Sequence, residues 1–209
     1  MNAPQARDRL FSELHVAVLK PRSFRKAGSW SIKTMGQIHV AINLRSSRWC
    51  DQNEANFWLD LKVFHEGWYT LLTGAQPFPS PKENTPSFVY EVLGSLEGPQ
   101  HRQIVINSTT DLAELLGTLT RRLQEHAFPV EESCSTLQGI LDYVRTRGDW
   151  PSQAMAAAGA SLLLGQDRQA HEFMALAKEN AAHENTLAWL ELQEQNMWAN
   201  HPKVVASST

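Results

Sequence analysis

Acidic residues are missing from one long stretch of the chain. Between residues 14 and 50 there is no Asp or Glu, although the 209-residue chain carries 22 acidic and 19 basic residues in total. Seven basic residues fall within this acid-free segment, namely Lys20, Arg22, Arg25, Lys26, Lys33, Arg45 and Arg48. Such charge asymmetry can attract anionic partners even though the formal net charge is −3.

Long hydrophobic runs are absent as well. The start of the chain, MNAPQARDRLF, has no apolar core for a signal peptide, and the run of small residues at 154–164 is too short to cross a bilayer. We therefore expect a cytoplasmic location and no membrane partner. Cys50 and Cys134 are the only cysteines, and in an intracellular chain they are expected to be free thiols.

The sequence also has no complete motif for a metal site. His171-Glu172 and His183-Glu184 begin like the helix of a zinc protease, in which a second histidine four residues on supplies another ligand. Ala175 and Leu187 occupy those positions. We predict no metal and no cofactor.

Catalytic signatures are equally sparse. Cys50 could act as a nucleophile if His39 or His65 lay beside it, but a cysteine next to a tryptophan is more often a packing residue. No phosphate-binding loop or dinucleotide fingerprint is present. We assign no catalytic residue and favour a protein that is not an enzyme. A small-molecule enzyme with a cleft that includes His39 and Asp60 remains an alternative.

Alternation of apolar and polar residues marks the centre of the fold. Residues 38–44 and 57–63 each place apolar side chains on one face of an extended chain. A shorter strand at 29–32 leads to a hairpin in which Gly36 takes a positive φ. Further strands are predicted at 88–93 and 102–107, separated by a turn around Gly98-Pro99.

This central region resembles a bacterial family catalogued as domain of unknown function 4304. The matching elements are a short N-terminal helix, Lys20-Pro21, Phe24-Arg25-Lys26, Gly28, INLRSS at 42–47, NFWLDL at 56–61, LGSL at 93–96 and AFP at 127–129. The resemblance covers roughly residues 5–145 and implies a fold but no activity, since that family has no established site residues to transfer. Glu91 and Val92 depart from its pattern, in which a basic residue is expected before Leu93-Gly94.

The predicted fold class is α+β, with an N-terminal helix, an antiparallel sheet of about five strands with helices on one face, and a C-terminal helical subdomain. Helices are predicted at 4–19, at 110–126 with Thr109 or Thr110 as the cap, and at 133–147. We assign residues 1–148 to the sheet domain and 149–200 to a tetratricopeptide-like helical subdomain. Residues 201–209 are expected to be a disordered tail.

The polar side of the central strands is predicted to be exposed. It carries His39, Asn43, Trp58, Asp60 and Lys62, with Lys62 as a surface partner for Asp60. A solvated face, partly covered by the C-terminal helices, is one interpretation of this surface. The other is a docking surface, because arginine and tryptophan often anchor interfaces.

The predicted binding residues are Arg25, Lys26, Trp30, Arg45, Arg48, Trp49 and Trp58. They point to a non-enzymatic module of the bacterial cytoplasm with an acidic protein partner, for example an immunity-like or antitoxin-like protein that occludes a toxin. A nucleic-acid-binding protein that uses the basic residues 20–48 is the alternative. The sequence carries no signal for an oligomeric state.

Overall fold

The computed structural model describes residues 1–96, 98, 103–148 and 150–207. Within these residues one antiparallel sheet is combined with eight α-helices, which confirms the predicted α+β class. The strands are β1 (Arg25–Ala27), β2 (Trp30–Met35), β3 (Ile38–Ser46), β4 (Ala55–His65), β5 (Val89–Val92) and β6 (Ile104–Ile106). The α-helices are α1 (Ala3–Leu14), α2 (Glu66–Thr73), α3 (Leu112–Arg122), α4 (Phe128–Ser133), α5 (Leu137–Thr146), α6 (Pro151–Leu163), α7 (Asp167–Glu179) and α8 (Glu184–Ser207).

The sheet follows chain order from β1 to β5, and β6 pairs with β4. Lys26 lies opposite Ser31 in the β1–β2 pair, and Asn56 lies opposite Val105 in the β4–β6 pair. The alternating segments are strands as predicted, whereas β1 is an edge strand that alternation did not reveal. The predicted turn at Gly98-Pro99 and the start of the predicted strand at 102 lie in part outside the described residues.

Two glycines close the hairpins on either side of β2. Gly28 has φ 64° and Gly36 has φ 63°, in the left-handed region where a side chain is disfavoured. The prediction for Gly36 is therefore confirmed. These turns place the short strand β1 at the edge of the sheet, beside β2.

Residues 66–73, whose structure the sequence left undecided, form the helix α2. The side chain of His65 accepts a hydrogen bond from the Gly67 N–H at 3.0 Å and so caps the helix. Trp68 and Leu71 point to one side and are buried. Gly74 ends the helix with φ 68°.

Helices extend further than predicted in two places. A π-helical turn at Leu123–Ala127 leads directly into α4, in which Pro129 is the second residue. The helix α8 runs to Ser207 with Pro202 inside it, so the predicted disordered tail is wrong for residues 201–207, while 208–209 lie outside the described residues. The cap of α3 is Asp111 rather than Thr109 or Thr110.

A first compact unit comprises residues 1–34, 39–62 and 90–132. In it α1 packs on α3 and contacts β6. Leu10, Leu14 and Leu119 are buried. Ile42 and Leu59 on the central strands are buried too, as the alternation predicted.

A second compact unit comprises residues 35–38, 63–89 and 133 onward. In it α6 packs against α5 and α7, and α2 packs against α8. Gly159 of α6 lies directly on the indole of Trp68, where a Cβ would be 2.0 Å from Cζ3. The same indole stacks on Phe88 with ring centroids 4.7 Å apart. Small residues on α6 thus let the helix approach an aromatic pair.

Candidate functional site

Two cations of the acid-free segment are neutralised by acidic residues of α4. Arg22 Nη2 lies 2.7 Å from Glu132 Oε1, and Arg22 Nε lies 3.2 Å from Glu131 Oε2. Lys33 Nζ also pairs with Glu131, whose side chain is only 3% exposed. The positive charges of Arg22 and Lys33 are therefore held by carboxylates about a hundred residues away in the chain.

Arg45 is neutralised within the sheet. Its Nε lies 2.6 Å from Asp60 Oδ2, and its Nη2 also donates to the hydroxyl of Tyr90 at 3.0 Å. The hydrogen bond to Asp60 raises the pKa of Arg45 above its usual value. Asp60 and Lys62 are both buried, so the predicted surface location of their pair is wrong. Arg45 does not present a free charge to a partner.

The polar face of the central strands is covered rather than exposed. His39, Asn43, Asp60 and Lys62 are all buried, which contradicts the predicted open strip. Aromatic rings contribute to this cover, and the cations of the face lie against them. The Arg45 guanidinium lies 4.5 Å from the Trp58 ring, while Lys62 Nζ lies 5.6 Å from the Trp30 ring and 5.1 Å from the Tyr90 ring.

Asn43 lies in the middle of this polar face. Ser47 N–H donates to the Asn56 carbonyl at 2.8 Å, and antiparallel pairing continued from this bond places Asn43 opposite Asp60. Asn43 is buried, and its Oδ1 has no hydrogen-bond partner in the part of the chain that the structure describes. The face thus combines an unsatisfied acceptor with a neutralised carboxylate, and it offers little to an incoming anion.

Arg48 and Trp49 form a separate small group in the loop between β3 and β4. The Arg48 guanidinium lies 4.8 Å from the Trp49 ring, and Trp49 is 73% exposed. By their contacts the predicted binding residues fall into three groups. Arg45, Trp30 and Trp58 belong to the covered face, Arg48 and Trp49 to this loop, and Arg25 and Lys26 to a pocket.

That pocket has a volume of about 840 Å³ and opens beside the edge strand β1. We call it the cationic pocket, and its lining residues are His15, Lys20, Ser23, Phe24, Arg25, Lys26, Ile32 and Thr34. Among the described residues that line it, none is acidic. It collects three of the four cations of the acid-free segment that no carboxylate of the described residues pairs, namely Lys20, Arg25 and Lys26, while the fourth, Arg48, lies over Trp49.

The backbone after α1 brings these cations together. A π-helical turn (His15–Leu19) and a 3₁₀ turn (Lys20–Arg22) continue the helix, and Ser23 ends it with φ 70°. The buried ring of Phe24 then anchors the chain, and its N–H donates to the Leu19 carbonyl at 3.1 Å. Because the chain turns back here, the basic residues of β1 lie beside Lys20.

Lys26 is held in place by contacts that leave its charge uncompensated. Its Nζ donates to Ser12 Oγ at 2.5 Å and lies 5.6 Å from the ring of Phe11. Neither contact brings a negative charge. The ammonium groups of Lys20 and Lys26 and the guanidinium of Arg25 are therefore available to an anion.

His15 forms the inner wall of the pocket. The residue is 7% exposed, and its Nδ1 lies 2.9 Å from Oγ of the fully buried Ser31. Burial lowers the pKa of His15 below 6.5, and the positive charges of Lys26 and Lys20 lower it further. The imidazole is consequently neutral near pH 7 while the pocket is empty of anions.

The other groups weighed for chemistry have structural contacts. Cys50 Sγ lies 3.2 Å from both the N and the O of Asn56, in the loop that joins β3 and β4. Burial raises the pKa of the Cys134 thiol to about 12. The imidazole of His171 stacks on the indole of Trp198, with ring centroids 4.1 Å apart. The described residues contain no group of three or more His, Cys, Asp or Glu side chains that could hold a metal ion.

Sequence reasoning missed His15 as a pocket residue and did not place Lys20 in the site. His15 directly follows Leu14, the buried last residue of α1, whose apolar side chains form a helical stripe that packs in the core. A histidine next to that stripe, followed five residues later by a lysine, was a signal that this part of the helix faces a polar site.

No helix in the described part of the chain is both long enough and apolar enough to cross a membrane. No protein-family model, curated protein or solved structure matches the chain. The resemblance to the family of unknown function 4304 therefore stays a prediction.

Proposed function

We propose that the chain is a non-enzymatic binding module that captures an acidic segment of a protein partner in the cationic pocket. The observation that carries the proposal is the set of three uncompensated cations, Lys20, Arg25 and Lys26, around a cavity of about 840 Å³ that no carboxylate lines among the described residues. An acidic protein partner was the favoured prediction from the sequence, and the cations of the pocket support this proposal.

The size of the pocket suits a peptide segment better than a single small ion. Pockets that enclose an organic ligand typically have volumes of about 300–1,000 Å³. Ile32, which is partly exposed, adds apolar surface to the lining, and the mostly buried Phe24 adds a little more. A segment with two or three carboxylates around one apolar side chain would complement both features.

Charge alone would give only modest affinity. An exposed ion pair contributes about 0.2–1 kcal/mol, so three such pairs contribute roughly 0.6–3 kcal/mol, or at most about a hundredfold in affinity. The pocket would therefore select and steer the partner, while surrounding surfaces supply the remaining affinity. An immunity-like or antitoxin-like protein that occludes a toxin is one binding module of this kind, and the compact chain with its split charge supports that more specific form.

The experiment uses the full chain and a deca-aspartate peptide that carries a rhodamine label, with fluorescence anisotropy at low salt as the readout. An uncharged peptide of Gly-Ser repeats with the same label serves as the ligand control. We expect the acidic peptide to bind weakly, with an affinity that falls as the screening length decreases from about 10 Å at 0.1 M salt to about 3 Å at 1 M.

The matched variants reverse two charges inside or outside the pocket. Lys20→Glu combined with Arg25→Glu should lower the affinity for the peptide by about tenfold or more. Lys82→Glu combined with Arg168→Glu makes the same change in net charge at exposed positions elsewhere and should retain most of the affinity. Equal losses in both double variants, or tighter binding of an oligothymidylate than of the peptide, would contradict the proposal, and the second result would favour a nucleic-acid partner.

A further inference from the structure

His15 differs from the other basic residues of the cationic pocket. Lys20, Arg25 and Lys26 are exposed and always charged near pH 7, whereas His15 is buried and neutral there. Its Nδ1 is engaged with Ser31 Oγ, and no group of the described residues hydrogen-bonds its Nε2. The imidazole of His15 is thus a basic group whose charge can change when a ligand occupies the pocket.

The surroundings of His15 determine the direction of that change. The charged groups that face it are Lys26 of β1 and Lys20 of the 3₁₀ turn, with Arg25 lining the same pocket. Ser31 of β2 is its neutral partner. Because all the facing charges are positive, an anion placed among them removes the repulsion that keeps the imidazole neutral.

We propose that capture of an acidic segment in the cationic pocket is coupled to the uptake of one proton from solvent by His15. The proton joins the imidazole, so both ring nitrogens become donors, Nδ1 to Ser31 Oγ and Nε2 to a carboxylate of the bound segment. No other bond forms or breaks. This inference rests on the proposed function, since it needs an anion in the pocket.

The coupling gives binding a definite dependence on pH. A bound carboxylate raises the pKa of His15 above its value in the free protein. By linkage, the affinity then increases as pH falls through the interval between the two pKa values, by at most about tenfold per pH unit for one proton. Protonation of the peptide's aspartates as pH falls would weaken binding, so it cannot cause an affinity that increases at low pH.

The test follows the His15 imidazole directly by ¹H–¹⁵N NMR in the unmodified full chain, from about pH 5 to about pH 8. The titration is recorded without peptide and with saturating deca-aspartate. We expect the midpoint of His15 to move to higher pH with the peptide, and the peptide affinity measured by anisotropy to increase as pH falls. His183, which is exposed in the second unit, should keep the same midpoint in both titrations.

A pair of variants adds a second readout. His15→Gln should flatten the pH dependence of peptide affinity, whereas His183→Gln should retain it. If the peptide binds but the His15 midpoint does not move, proton coupling is wrong and the proposed function stands. If the peptide does not bind at any pH, the proposed function is wrong and the coupling is overturned with it.

Discussion

The guanidinium of Arg45 and the carboxylate of Asp60 form an ion pair on the polar face of the sheet, with Nε 2.6 Å from Oδ2 and Asp60 fully buried. This pair changes how the acid-free segment is interpreted. Of its seven basic residues, Arg22, Lys33 and Arg45 are paired with carboxylates and Arg48 lies over Trp49. The three that remain, Lys20, Arg25 and Lys26, line one pocket.

Breaking the Arg45–Asp60 pair from the acidic side should destabilise the fold. Asp60→Asn leaves the guanidinium without its counter-charge, and because Arg45 is partly exposed we expect a loss of about 2 kcal/mol in the free energy of unfolding. Urea denaturation followed by circular dichroism measures it. Replacing both residues, as Arg45→Met with Asp60→Leu, should recover much of the loss; an Asp60→Asn protein as stable as the original would show that the pair contributes nothing.

Neighbouring glutamates on α4 should respond very differently to neutralisation. Glu131 is buried and pairs with both Arg22 and Lys33, whereas Glu132 is 67% exposed and, among the described residues, forms an ion pair with Arg22. Glu131→Gln is expected to cost about 2 kcal/mol of stability, and Glu132→Gln about 0.5 kcal/mol or less. Thermal unfolding of the two variants side by side makes this comparison, and similar shifts in Tm would contradict it.

Stability of the free protein should decrease on acidification through the titration of His15. Its pKa is lowered in the folded state, so the unfolded chain binds more protons between the folded pKa and about 6.5. The stability that the neutral imidazole confers is complete above that interval and is lost as pH falls through it. Unfolding free energies measured at several pH values should show a weaker slope in His15→Gln than in His183→Gln, and equal slopes would remove His15 as the cause.

Close packing of α6 on Trp68 predicts opposite outcomes for one substitution at two helical glycines. Gly159→Ala places a methyl group 2.0 Å from Trp68 Cζ3 and should destabilise the protein by about 1–3 kcal/mol. Gly117→Ala, where nothing lies within 4 Å of the new Cβ, should stabilise it by about 0.5–1 kcal/mol. Chemical denaturation of both variants tests the contrast, and stabilisation by Gly159→Ala would show that the contact is not rigid.

Local patterns predicted the strands and their buried side well. Within each strand an extended backbone places alternate residues on one face, so Ile42 and Leu59 each fall on the apolar face of their own strand. The opposite side was predicted wrongly because alternation does not show what covers polar residues. Arg45 and Tyr90 help to cover that side, and they meet across 45 positions of the chain.

The pocket could be predicted only in part for a similar reason. The missing acidic residues indicated that the segment was cationic, but which charges stay free depends on where Glu131 and Asp60 lie in the fold. His15 could be recognised as a pocket residue only once its contact with Ser31, sixteen positions away, was known. Ion pairs and hydrogen bonds between residues far apart in the chain therefore determine the site, whereas the strands follow from the local sequence.

Mapping the deca-aspartate peptide by backbone amide chemical shifts is the most direct test of the account. The account predicts that the largest ¹H–¹⁵N shift changes occur at His15 and at residues 23–26, with Trp49 and the exposed helices unaffected. Changes concentrated at Arg48 and Trp49, or spread evenly over all exposed basic residues, would show that the cationic pocket is not where this protein binds an acidic segment.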